Sequence, residues 1–109
     1  MATILIIDGD PMVRLADAGV LAGAGYLVLR VHSRQDAFRY LRSIKADLAI
    51  CDLTEKEILC DICYADPEMS VLALIRKDEP PFLATRNVLG KPFTASELLN
   101  AVRRCLAAH

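Results

Sequence analysis

Thr3-Ile4-Leu5-Ile6-Ile7 runs straight into Asp8-Gly9-Asp10-Pro11. Five aliphatic or β-branched residues without a polar break read as a short strand buried on both faces. Asp10 then suits the N-cap of a helix, with Pro11 at the first helical position, where its missing N–H costs nothing. A buried strand that turns directly into a helix is the opening of a βαβ unit, and that reading organises the rest of the chain.

Working outward, Val13, Ala16, Val20 and Leu21 recur at helical spacing and predict the buried stripe of the first helix, which Gly23 and Gly25 stop. Tyr26 to Val31 reads as the second strand. Ser33 begins another helix, with Ala37, Leu41 and Ile44 on its buried side, and Asp47-Leu48-Ala49-Ile50-Cys51-Asp52 supplies the third strand. A shorter helical pattern carrying Ile58, Ile62 and Ala65 runs to Asp66-Pro67, Val71 to Ile75 forms the fourth strand, and Asn87 to Gly90 the fifth. Thr94 with Glu97 has the capping-box spacing, and Leu98, Val102, Cys105 and Leu106 form the core face of a closing helix. Five apolar strands alternating with helices predict an α/β fold, a doubly wound parallel sheet between two helical layers.

The 109 residues, 54% of them apolar, suffice for one core and one domain spanning 1–109. With 13 basic and 14 acidic residues the formal charge is −1, and no polybasic run marks a nucleic-acid or anionic-membrane footprint. The apolar runs fall far short of the roughly 18 residues that span a bilayer, and Asp8 interrupts the N-terminus before a cleavable signal region could form. A cytoplasmic protein is expected. Cys51, Cys60, Cys63 and Cys105 lie mostly in apolar stretches, where free thiols pack as small hydrophobes, and a reducing compartment fits that use.

In open parallel sheets the functional crevice lies at the carboxyl ends of the strands. Asp8, Asp52 and Lys91 all fall at such ends. If the first and third strands are neighbours, two carboxylates and an ammonium converge, a set suited to a magnesium-type cation and a transferable phosphoryl group.

The combination of these stretches resembles the receiver domain of bacterial two-component response regulators over essentially the whole length. Ile4 to Pro11 is similar to that family's first-strand acidic motif, Asp47 to Leu53 to its phosphoacceptor strand, and Gly90-Lys91-Pro92-Phe93 to its Lys-Pro-Phe signature. The resemblance implies a flavodoxin-like sheet of strand order 2-1-3-4-5. It also implies a phosphoryl group on Asp52, contacted by Lys91. Asp8, Asp52 and the backbone carbonyl of Thr54 would be ligands for Mg2+, and Lys91-Pro92 a cis peptide. The implied partner is a histidine kinase or a histidine phosphotransfer protein, with a homodimer also open.

Four departures accompany the matches. Gly9 stands where the family places its second acid, so magnesium binding is expected to be weak or absent; Asp10, one residue on, is a substitute ligand or simply an N-cap. Ile75 replaces the Ser or Thr whose hydroxyl contacts the phosphoryl group, and isoleucine donates no hydrogen bond. Val88 replaces the usual switch aromatic. Fifteen residues including Pro80-Pro81 separate Ile75 from Lys91, so the fourth helix is shortened, as is the third. Two expectations follow: a phosphorelay receiver, or a phosphorylation-independent pseudo-receiver serving as a protein interaction module with Asp52 and Lys91 as a structural ion pair across adjacent strand ends.

Other constellations are weaker. Cys60-Asp61-Ile62-Cys63 is a C-x-x-C, yet the remaining candidates Cys51, Cys105, His32 and His109 supply no second ligand pair for zinc, and Cys60 lies within a helical pattern, so buried packing is expected for it. Neither histidine has a visible catalytic partner, and no enzyme activity is expected. Gly23-Ala24-Gly25 follows a helix, not the first strand, so it is a stop signal and not a phosphate loop, which also disfavours a flavin carrier.

Overall fold

A computed structural model describes residues 2–7, 11–31, 33–43, 45–52, 57, 60, 61, 64, 66, 68–76 and 87–107, with the side chains of 11–14, 34, 41 and 76 excepted. Five strands form one parallel sheet: β1 (Thr3–Ile7), β2 (Leu27–Val31), β3 (Leu48–Asp52), β4 (Ser70–Arg76) and β5 (Asn87–Lys91), in the order β2-β1-β3-β4-β5. Three complete helices are described: α1 (Pro11–Gly23), α2 (Arg34–Ser43) and the closing helix α3 (Ala95–Ala107). Glu57, Cys60, Asp61 and Tyr64, between β3 and β4, are also helical.

The alternation of side chains along the strands divides the core into two layers. Ile4, Ile6, Leu48, Ile50, Leu72 and Leu74 face Leu21 of α1 and Leu98, Ala101, Val102 and Cys105 of α3. Leu5, Ile7, Ala49, Cys51 and Ala73 face the other way, where Ala37 and Tyr40 of α2 cover them. Each fully buried Leu or Ile contributes about 1.5–3 kcal/mol through removal of apolar surface from water.

The ends of the elements carry the local signals read above. Ser33 Oγ accepts the Asp36 N–H at 3.2 Å and starts α2. Thr94 and Glu97 exchange reciprocal hydrogen bonds of 3.0 and 3.1 Å ahead of α3. At the end of α1, Gly25 takes φ +96°, and the N–H groups of Gly25 and Tyr26 donate to the carbonyls of Ala22 and Leu21. That is a Schellman stop, which requires a left-handed residue at Gly25.

The inward side of α1 differs from the sequence expectation. Leu21 is buried and Val20 partly so, but Ala16 is exposed and Asp17 is buried in its stead. Asp17 sits one turn before Leu21 on the same face, and a purely apolar pattern passes over it. Val13 has no described side chain, and Ile44, Ile58, Ile62, Ala65, Pro67 and the stretch with Pro80-Pro81 lie outside the described residues, as do most of the residues expected to form shortened third and fourth helices. Asp47, expected inside the third strand, lies just before it. Its carboxylate accepts the Thr3 N–H at 2.7 Å and its own N–H donates to the Thr3 carbonyl at 2.8 Å. This clasp aligns β1 and β3 at the end of the sheet opposite the carboxyl edge.

Candidate functional site

Along β3, Leu48 and Ile50 point to the layer under α1 and α3, while Ala49 and Cys51 point to the opposite layer. Asp52 is the next residue on the Leu48–Ile50 side, so the bulky apolar row ends in a carboxylate. It is only 6% exposed. The Cys51 thiol donates to the Asp52 carbonyl at 3.3 Å, a weak contact that ties the strand end to the neighbouring layer.

The Lys91 ammonium donates to the Asp52 carboxylate in an ion pair. Asp52 lies opposite Leu74 and Leu74 opposite Leu89, whereas Lys91 lies opposite Arg76. Lys91 therefore starts two residues beyond the level of Asp52 and two strand spacings away, about 9–10 Å in the sheet plane. Its four-carbon stem crosses the end of β4 to make the contact. The sequence reading set this pair across adjacent strands; β4 in fact separates them, because the order β3-β4-β5 leaves no direct β3–β5 edge. Both charges are largely withdrawn from water, with the Asp52 side chain 9% and the Lys91 side chain 27% exposed. Each charge offsets the desolvation of the other.

The Lys91–Pro92 peptide is cis, as the resemblance implies. β1 and β3 are neighbours with Ile7 opposite Cys51, the arrangement the convergence of Asp8 with Asp52 requires. Asp8 follows Ile7 in sequence, but Asp8, Gly9, Asp10 and Thr54 lie outside the described residues. Among the described residues no group of three or more His, Cys, Asp or Glu side chains could hold a metal ion. The buried Asp52 carboxylate at the carboxyl edge is nonetheless a hard oxygen donor of the kind that suits a magnesium-type cation, so the residue present fits the expected group.

Ile75 and Val88 sit on the other layer. Ile75 lies opposite Gly90 and packs against the cluster formed by Leu5, Ile7 and Ala73. Val88 lies opposite Ala73 and is 38% exposed. An aliphatic chain at 75 holds its place by packing and has no polar atom to offer an anion.

Cys60, expected to pack in the interior, is exposed, because it shares a helical face with Glu57 and Tyr64 instead of the apolar stripe. Cys51 and Cys105 are buried free thiols. Burial raises the Cys105 thiol above its ordinary range, an effect the nearby Arg104 cation partly opposes. Cys63, His32 and His109 lie outside the described residues. No described helix is long and apolar enough to cross a membrane.

No family model matches the chain, and no curated protein does. Solved structures do. A response regulator receiver protein from Sinorhizobium medicae superimposes with a TM-score of 0.82 at 24% identity, over 98% of this chain and 95% of its own. The chemotaxis protein CheY4 of Vibrio cholerae gives 0.85 at 22% identity, over 97% and 99%. NtrX from Brucella abortus gives 0.88 at 22% identity over 99% of this chain, which spans only 27% of that longer protein. The five-stranded parallel sheet, its 2-1-3-4-5 order and the flanking helices are thus those of the response regulator receiver domains, and that is the fold of this chain.

Proposed function

We propose that the chain is a receiver in a phosphorelay, taking a phosphoryl group onto Asp52 from a phosphohistidine of a histidine kinase or phosphotransfer protein. The observation that carries this reading is the ion pair of Lys91 with a buried Asp52 at the carboxyl edge of the sheet. A carboxylate oxygen of Asp52 forms the new P–O bond as the P–N bond breaks, and the departing imidazole nitrogen keeps the electron pair and takes a proton. Lys91 holds the carboxylate in place beforehand and offers its remaining ammonium hydrogens to the phosphoryl oxygens afterwards. Asp8, Asp52 and the Thr54 carbonyl, with Asp10, would hold a magnesium-type cation, whose charge offsets that of the incoming phosphoryl group when it is bound.

A second reading, an interaction module independent of phosphate, is favoured by one specific observation. Ile75 packs into an apolar cluster at the position where a hydroxyl would relay the phosphoryl group. Intact-mass measurement after incubation with magnesium and acetyl phosphate separates the two. An adduct of about 80 Da, the added mass of a phosphoryl group, on the parent but not on Asp52→Asn supports the relay. No adduct, under conditions that modify an ordinary receiver, overturns it in favour of the module.

A further inference from the structure

The near-neutral total of the chain hides a sharp division of charge. From residue 33 to 45 the sequence carries four cations (Arg34, Arg39, Arg42, Lys45) and one acid, Asp36. From 54 to 68 it carries five acids (Glu55, Glu57, Asp61, Asp66, Glu68) and one cation, Lys56. The remaining eight cations and eight acids balance. The asymmetry therefore belongs to two neighbouring connections, β2 to β3 and β3 to β4.

Those connections cover the same side of the sheet. Both cross it in the same direction in the order β2-β1-β3-β4-β5, so right-handed crossovers put both helices on the layer of Ala37 and Ala73. They run side by side in the same sense. Their far ends meet at one cavity of about 240 Å3, walled by Lys45 and Asp47 on one side and by Asp66 and Glu68 on the other.

The outer faces of the two helices differ in shape as well as charge. On α2, Gln35, Phe38, Arg39 and Arg42 surround a shallow hollow of about 350 Å3. Arg39 has an exposed contact with Asp36 at 3.7 Å, which leaves most of its five N–H donors for another partner. On the acidic helix, Glu57, Cys60, Asp61 and Tyr64 share one face by their spacing, and Tyr64 stands 90% exposed. An exposed tyrosine flanked by acids is the chemical counterpart of a hollow lined by a phenylalanine and two arginines, through cation–π and charge-assisted contacts.

We propose that this chain pairs with a second copy of itself through the outer face of α2 and the helical residues Glu57, Cys60, Asp61 and Tyr64, the Tyr64 of each copy entering the Arg39–Arg42 hollow of the other. The symmetry follows from the charges. A two-fold axis running along the helices, between them, lays each basic helix on the acidic helix of the other copy, whereas an axis across them would set like upon like. The chosen axis preserves height along the helices, and Tyr64 and Arg42 each lie within about one turn of the shared cavity, so they meet at the same level. Pairing through this face does not depend on phosphorylation of Asp52, which lies on the other layer.

Sedimentation velocity on the full chain tests it. The parent is expected to be dimeric at about 100 µM in low salt and to dissociate near 0.5 M salt, where the screening length falls to roughly 4 Å. Arg39→Glu with Arg42→Glu, and separately Glu57→Lys with Asp61→Lys, should each give folded monomers by circular dichroism. An equimolar mixture of the two should dimerise again, since each reversed face finds its complement. Tyr64→Ala should weaken association about tenfold. A parent that stays monomeric at that concentration in low salt, reversed variants that dimerise like the parent, or a mixture of folded variants that remains monomeric would each overturn the proposal.

Discussion

The two layers flanking the central strands are built from different stock. Under α1 and α3 the strands present Ile4, Ile6, Leu48, Ile50, Leu72 and Leu74, a bulky and interlocked row. Under α2 the same strands present Ala49, Cys51 and Ala73 beside the larger Leu5, Ile7, Val71 and Ile75. Small side chains on a sheet let a covering helix sit close, and large ones fix it by interdigitation. The first layer ends in the Asp52–Lys91 pair, and the second carries Ile75 and Val88. The bulkier packing thus lies beneath Asp52, and Ile75 and Val88 lie on the opposite side of the sheet.

Five substitutions sharpen or break this contrast. Ile50→Ala, in the bulky layer, should cost about 2–5 kcal/mol in urea unfolding, through lost transfer energy and a residual cavity. Ala73→Val, in the close-fitting layer, should cost about 1–3 kcal/mol by overpacking; a neutral result would mean that layer is loosely filled. Lys91→Met should destabilise by roughly 1–3 kcal/mol because it removes the cation paired with a buried carboxylate, and Asp52→Leu combined with Lys91→Met should recover most of the loss, measurable as a double-mutant coupling. The smallest effect concerns Cys105, whose pKa is raised by burial in the bulky layer. Below the ordinary thiol pKa both states keep the proton and stability is unaffected. Above it the unfolded chain ionises first, so unfolding free energy falls as pH rises towards the folded-state value. Cys105→Ala should flatten that alkaline slope in unfolding titrations.

Much of this architecture was legible because each local signal agreed with the next. Thr3–Ile7 is the first strand at the bounds its composition implies, and the Thr94–Glu97 box opens the closing helix where the spacing puts it. Gly25 terminates α1 by the backbone geometry only glycine adopts readily. The exceptions are polar residues in structural positions and a cysteine outside one. Asp17 occupies an inward site that an apolar tally assigns to Ala16, Asp47 is a clasp and not a strand residue, and Cys60 follows the helical phase of its exposed neighbours. In the candidate site, the strand-end positions of Asp52 and Lys91 were readable one at a time. That the ammonium passes over an intervening strand depends on the register Arg76 to Lys91, and no spacing along the chain encodes it.

The reach of Lys91 across the end of β4 makes its side chain a strap joining the tips of the third and fifth strands. A change of charge at Asp52 alters the pull on that strap at once, whether the carboxylate is esterified, protonated or replaced. β5 and the closing helix that follows it are therefore tethered, through one side chain, to the charge at the end of β3.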